Sequence, residues 1–179
     1  FADVEGEKVL VSGTVVATGT NVADVLEGDR VIVAQVQGCG ACSECRGGNH
    51  LGCLNQEDMG TSGRDGGYTQ YLAAPSRIVH RVPPGVDLCE AGLAHPLSAA
   101  LKGLRRLSQV WPTTPTTRRC AVVGVGPMGH LCARVLALRG HEVSVFDRNA
   151  ARLKYFAQSN IRVAGDLDEL SDFDVLIET

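Results

Sequence analysis

Four cysteines crowded into one short segment constrain this chain more than any other feature. Cys39, Cys42, Cys45 and Cys53 follow the pattern C-x2-C-x2-C-x7-C, among glycines and polar residues with almost no apolar periodicity. A lobe of that composition, residues 38–54, cannot be held together by a hydrophobic core. Four closely spaced thiols can converge on one tetrahedral zinc ion, which lowers their pKa and imposes no stereoelectronic strain on the loop. Four protein ligands leave no open coordination position, so such an ion folds the lobe and performs no chemistry. Two disulfides or four free thiols are the competing readings; they are disfavoured because no basic-then-apolar secretion signal is visible at Phe1. A nucleic-acid zinc ribbon would show two C-x2-C pairs about 15–20 residues apart and a basic surface. His50 lies inside the lobe and reads as a solvated or loop-bonding residue. Cys89, Cys120 and Cys132 read as core packing.

The lobe interrupts a β-rich stretch. Val9–Val11, Gly13–Ala17 and Gly28–Ala34 form short runs separated by turns, and β-character returns at Tyr68–Ala73 and Ile78–Val82. Strands of that length suggest a small barrel or sandwich. Ala91–Leu107 then carries Leu93, Leu97, Leu101 and Leu104 at helical spacing, ending in Arg105-Arg106, which suit a helix C-terminus. Pro112, Pro115 and the threonines between Trp111 and Thr117 mark a linker. Beyond it the texture alternates: strand at Cys120–Val123, helix at Met128–Leu138, strand at Glu142–Phe146, helix at Ala150–Gln158, and strands at Ile161–Val163 and Val175–Ile177. Such alternation indicates a parallel sheet with helices on its faces. The expected division is 1–92 and 93–179. Phe1 is not a methionine and Thr179 follows an apolar run, so a piece of a longer protein is expected.

The first alternating strand runs into Gly124-Val125-Gly126-Pro127-Met128-Gly129 and then a helix. Taken alone, G-x-G-x-x-G is a weak signal. In this context Gly124 permits the tight turn, Gly126 lets a pyrophosphate approach the backbone, and Gly129 allows close helix packing. Asp147 follows the next strand, eighteen residues after Gly129, where an acid can accept hydrogen bonds from adenosine ribose hydroxyls. Its charge favours NAD over NADP, and the adjacent Arg148 softens that preference. Plain turn chemistry for the glycines and a helix N-cap for Asp147 are the competing readings.

Composition removes other classes. The net charge is −3 and no aromatic residues interleave with a basic run, which argues against nucleic acid. No stretch approaches the roughly 20 apolar residues of a membrane span, and a cytoplasmic protein is expected.

Together these residues resemble the zinc-containing medium-chain dehydrogenases, in the alcohol, sorbitol and threonine dehydrogenase branch. Gly28-Asp29-Arg30-Val31, Asp65-Gly66-Gly67-Tyr68, Val82-Pro83 and His95-Pro96-Leu97-Ser98 add to the likeness. The resemblance implies α/β plus β architecture: a GroES-like β-barrel domain with a structural zinc lobe, then a partial Rossmann domain. It implies hydride transfer between a secondary alcohol or polyol and NAD(P), a small-molecule alcohol or ketone as partner, and a homo-oligomer. It places Gly124, Gly126, Pro127, Met128, Gly129, Asp147, Arg148 and Thr179 at the cofactor, Thr179 toward the nicotinamide ribose. It also implies a second, catalytic zinc, and there this sequence departs. Val9 and Leu10 stand where the family carries histidine and glutamate, and the later Gly140-His141-Glu142 string falls in a helix–strand turn. His95 stands where the branch usually has an acid; it could ligate zinc or relay a proton, or simply pack at a helix start. A non-catalytic nucleotide-binding relative and a zinc-independent NADPH reductase therefore stay open as alternatives.

Overall fold

The computed structural model describes residues 11–110 and 117–179. The chain divides into two compact units, one up to His95 and one from Pro96 onward, and no sheet is shared between them among the described residues.

The first unit holds six short strands: β1 (Val11–Thr14), β2 (Arg30–Val33), β3 (Val36–Gln37), β4 (Glu57–Met59), β5 (Gly63–Arg64) and β6 (Val79–Arg81). β1, β2 and β6 form an antiparallel sheet in that order, with Val11 opposite Val33 and Gly13 opposite Val31. Val31 and Val33 are buried, two residues apart as the pleat requires. β3, β4 and β5 make a second small sheet at the root of the cysteine lobe. The core here is thin: Val33, Met59 and Ile78, with Val11, Leu72 and Ala74 packed against them. An open cavity of about 1090 Å³ lies between β1, β2 and residues 66–74, and among the described residues no cysteine, histidine or carboxylate lines it. The segment expected as a strand at Tyr68–Ala73 is irregular, with Tyr68 and Tyr71 exposed. β-prone side chains do not make a strand without a neighbouring strand to pack against and pair with. The expected strand start at Val9 and the linker residues 111–116 lie outside the described residues.

Two single-turn helices, α1 (Ser43–Arg46) and α2 (Leu88–Ala91), belong to this unit. Asp87 caps α2, its carboxylate accepting the Cys89 N–H at 2.7 Å. That cap corrects one expectation: Cys89 sits in the first turn of an exposed helix and is solvent-facing, not core. Cys120 and Cys132 are buried as expected.

α3 (Ala94–Val110) begins just before the division between the units. It continues past Arg105-Arg106, and its buried stripe is narrower than the leucine spacing suggests. Leu104 is buried and Leu97 packs on the core, whereas Leu101 is exposed.

The second unit follows the alternating pattern closely: β7 (Arg119–Val123), α4 (Pro127–Leu138), β8 (Glu142–Phe146), α5 (Ala150–Leu153), β9 (Arg162–Val163) and β10 (Val175–Glu178). The helix expected to reach Gln158 tightens into a 3-10 turn at Lys154–Phe156. The four strands are all parallel in the order β10-β7-β8-β9, with Cys120 beside both Val143 and Val175. Val122, Val145, Leu136, Leu104 and Phe156 are almost completely enclosed. Each such side chain contributes about 1.5–3 kcal/mol on burial, enough to make this sheet a rigid platform.

Candidate cofactor and metal sites

In the cysteine lobe a one-turn helix does the gathering. Cys42 caps α1, its sulfur accepting the Cys45 N–H at 3.4 Å, so two thiols three residues apart share one edge of the turn. The chain returns through a 3-10 turn at His50–Gly52 to Cys53, whose sulfur accepts the Cys39 N–H at 3.4 Å. All four Sγ atoms lie within 4.8 Å of one another. Zinc–sulfur bonds of about 2.3 Å in a tetrahedron separate the sulfurs by about 3.8 Å, so the donor set and its spacing fit a zinc ion. Gly38 was not expected to matter here, but a Cβ on it would stand 2.5 Å from Cys45 Sγ and 3.0 Å from His50 Nδ1.

The thiols are electrostatically unequal. Backbone donors at Ala41 and Cys42, and the Cys53 thiol, lower Cys39 to about 6. Cys45 is pushed up to about 12; the Gly40 amide pulls it down, but burial and the other three thiols outweigh that donor. Four thiols this close cannot all ionise without a cation among them, which is the condition a divalent ion meets.

In the second unit β7 ends at Val123 and the chain turns at Gly124, whose φ of +83° suits a residue without a Cβ. α4 then opens at Pro127 with Gly126 as its N-cap and no side-chain cap. Its first amides are thus left for a ligand, and a helix N-terminus favours an anion. A Cβ at Gly129 would overlap the Gly124 carbonyl oxygen and stand 2.6 Å from Thr179 Oγ1, whereas one at Gly126 would meet only Arg152, at 3.8 Å. The turn is therefore tight at Gly129 and open at Gly126, which leaves room for an anion at the helix N-terminus.

Asp147 directly follows β8 and is buried, with its carboxylate already engaged. Oδ1 accepts the Asn149 N–H at 2.7 Å; Oδ2 accepts the Val125 N–H at 2.8 Å and lies 3.3 Å from Arg152 Nη1. The Asn149 amide, then the Val125 amide and the Arg152 guanidinium, hold its pKa below the usual carboxylate range against the opposing effect of burial. The N-cap role weighed for Asp147 belongs instead to Asn149, whose side chain accepts the Ala151 N–H. Arg152 had no place in the sequence reading; its position five residues past the acid, in the first turn of a capped helix, was the available signal. Arg148 is exposed. Thr179 lies one residue beyond β10, its hydroxyl donating to the Gly124 carbonyl at 2.7 Å.

His95 is the second residue of α3 and half-buried. Among the described residues the four lobe cysteines form the single cluster of three or more candidate metal ligands. His95 belongs to no such cluster, so the described residues do not fit a catalytic zinc; Val9 and Leu10 lie outside them. The Gly140-His141-Glu142 string forms the α4–β8 turn, with His141 Nδ1 accepting the Arg118 N–H at 3.3 Å.

A thiol lobe on a small β unit, followed by a parallel sheet with an open phosphate cradle, defines a zinc-containing, dinucleotide-binding protein. Residues 9–84 match the alcohol dehydrogenase GroES-like domain family, and residues 119–177 match the NAD binding domain of 6-phosphogluconate dehydrogenase. The 2-dehydro-3-deoxy-L-galactonate 5-dehydrogenase of Pseudoalteromonas atlantica is 29% identical over 88% of this chain and 45% of its own length. The L-idonate 5-dehydrogenase of Vitis vinifera is 30% identical over 90% of this chain and 44% of its own. An Escherichia coli oxidoreductase/dehydrogenase of unknown specificity superposes with a TM-score of 0.77 at 26% identity, covering 94% of this chain and 51% of that one. The chain belongs to the zinc-containing medium-chain dehydrogenase/reductase family, and it spans about half the length of the curated relatives it matches. No helix among the described residues is long and apolar enough to cross a membrane.

Proposed function

We propose that the full-length protein is an NAD-linked dehydrogenase that interconverts a secondary alcohol, of the polyol class, and its ketone. The observation that carries this reading is the uncapped N-terminus of α4 behind the Gly124–Gly129 turn, with the Asp147 carboxylate at the end of the adjacent strand. Gly126, Met128 and Gly129 would offer the pyrophosphate an open backbone, with Pro127 fixing the first helical φ. Asp147, with Arg148 and Arg152 beside it, would face the adenosine ribose. When bound, the nicotinamide supplies the hydride acceptor, a chemistry no side chain provides. Cys39, Cys42, Cys45 and Cys53 would hold a structural zinc. His95 would stand at the reacting end. Two relatives named for oxidation at a sugar-acid carbon support a polyhydroxylated substrate. A reduced-thiol metal lobe is consistent with a cytoplasmic setting, and a homo-oligomer is the expected assembly.

Calorimetric titration of the full-length protein with NAD and NADP, paired with NADH formation across a panel of polyols, tests this. Tighter binding of NAD and turnover of a secondary alcohol are expected; no heat with either coenzyme sinks the reading. A second reading, a nucleotide-binding relative without catalytic zinc, is favoured by the single ligand cluster among the described residues. Metal analysis separates the two: two zinc ions per full-length chain support catalysis, and one supports the inert form.

A further inference from the structure

The peptide unit joining Gly124 to Val125 is gripped at both ends. Its carbonyl accepts the Thr179 hydroxyl at 2.7 Å, from the end of β10. Its N–H donates to Asp147 Oδ2 at 2.8 Å, at the end of β8. Those two strands flank β7, which delivers the peptide, and the Thr179 N–H extends the β10–β7 ladder by one bond to Val123 O at 3.0 Å. A glycine at φ +83° has little intrinsic preference for one peptide orientation, because no Cβ resists the alternatives. Rotating this peptide would break both bonds at once. The orientation of the turn is thus set by side chains from the two neighbouring strands.

We propose that Thr179 is a positioning residue for the coenzyme pyrophosphate, acting jointly with Asp147 through the Gly124–Val125 peptide. The proposal rests on the nucleotide-binding reading and extends it. Thr179 need not touch the coenzyme; its hydroxyl presets the turn from which α4 starts, so the open amides face the anion without reorganisation on binding. Asp147 gains a second task beyond the ribose.

The test uses the full-length protein with ADP-ribose as the ligand, and Thr179→Val, which keeps shape and removes the hydroxyl, beside Thr179→Ser, which keeps it. Thr179→Val is expected to weaken ADP-ribose binding about tenfold, the effect of one lost hydrogen bond that leaves a carbonyl unmatched, and Thr179→Ser to restore it to within about threefold. Amide exchange at Val125 should quicken in the valine variant although its own acceptor, Asp147, is untouched, while β7 and β8 amides keep wild-type rates. Unchanged affinity in Thr179→Val, with wild-type binding intact, overturns the proposal alone. Exchange that quickens uniformly across β7 and β8 also overturns it, by showing general loosening. Failure of the wild-type protein to bind ADP-ribose overturns the nucleotide reading and this proposal with it.

Discussion

The cysteine lobe and the Gly124–Gly129 turn are both glycine-rich, yet they keep their shapes by opposite means. In the lobe Leu51 and Leu54 point into solvent, and the converging atoms are four sulfurs. The turn sends its own Val125 into the core beside Val122, Ala133 and Val145, all buried, and is tied by hydrogen bonds from both neighbouring strands. One region has a donor set that an ion could order. The other is formed before any ligand arrives, because its supports belong to a packed core. Where a segment has neither core nor ladder, binding and folding are one event; where it sits on a sheet, binding only completes it.

The largest effect should come from attacking the lobe. Cys45→Ser, or a strong chelator, is expected to take the lobe zinc from one per chain to none and to abolish amide protection over residues 38–54. Apparent binding free energies of structural zinc, about 10–16 kcal/mol in small metal-folded domains, set the scale. Val125 should stay protected throughout. A lobe that keeps its amide protection after chelation would break the contrast. Next in size is Gly129→Ala, whose Cβ would overlap the Gly124 carbonyl oxygen. Relieving that overlap requires α4 to move, a cost of about 1–3 kcal/mol in urea unfolding, and ADP-ribose binding should fall below detection with zinc content unchanged. An alanine variant that binds ADP-ribose as the parent does would show the turn to be less preformed than its packing implies.

Legibility from sequence followed the same divide. The second unit was readable almost residue by residue: β8 spans Glu142–Phe146 as expected from its Val143, Val145 and Phe146, and α4 starts within one residue of expectation. Buried parallel strands and capped helices announce themselves locally. The first unit was less so. Tyr68–Ala73 has strand composition but pairs with no strand among the described residues, and pairing is a property of the whole sheet. In the sites, residue type and spacing identified the four cysteines, the three glycines and Asp147 as candidates. They did not identify Gly38, whose importance arises from Cys45 Sγ approaching it across the lobe. Nor did they show Thr179 gripping Gly124, a contact made across strands, or Arg152 reaching back five residues to Asp147 from the first turn of α5. Cys89 was misplaced because it sits on the solvent side of a helical turn whose other face carries the buried Ala91.

The smallest effect separates the regions by pH. His130 follows Gly129 on α4, its ring 4.6 Å from that of Phe156, and its Nε2 accepts the Arg134 Nε–H at 3.4 Å. Arg134 in turn donates to Tyr155 O at 2.9 Å and lies over the Phe156 ring, so a neutral His130 helps join α4 to the turn after α5. Burial, then the Arg134 charge, lowers the His130 pKa below its ordinary value. The unfolded chain therefore takes up a proton before the folded one does. Stability is whole above the ordinary histidine range of about 6.5 and declines as pH falls through it toward the folded value. His141 is lowered in the same direction, by burial and then by Arg139 and Arg118, so replacing His130 removes only part of the slope. His130→Gln keeps an acceptor for Arg134 without a titrating ring. Its urea midpoint should therefore drop less than the wild type's between about pH 7.5 and about pH 5.5. Metal content followed in parallel keeps acid release of the lobe ion out of the comparison. Equal slopes in variant and wild type, with zinc retained in both, would show that the acid sensitivity of this unit does not pass through His130.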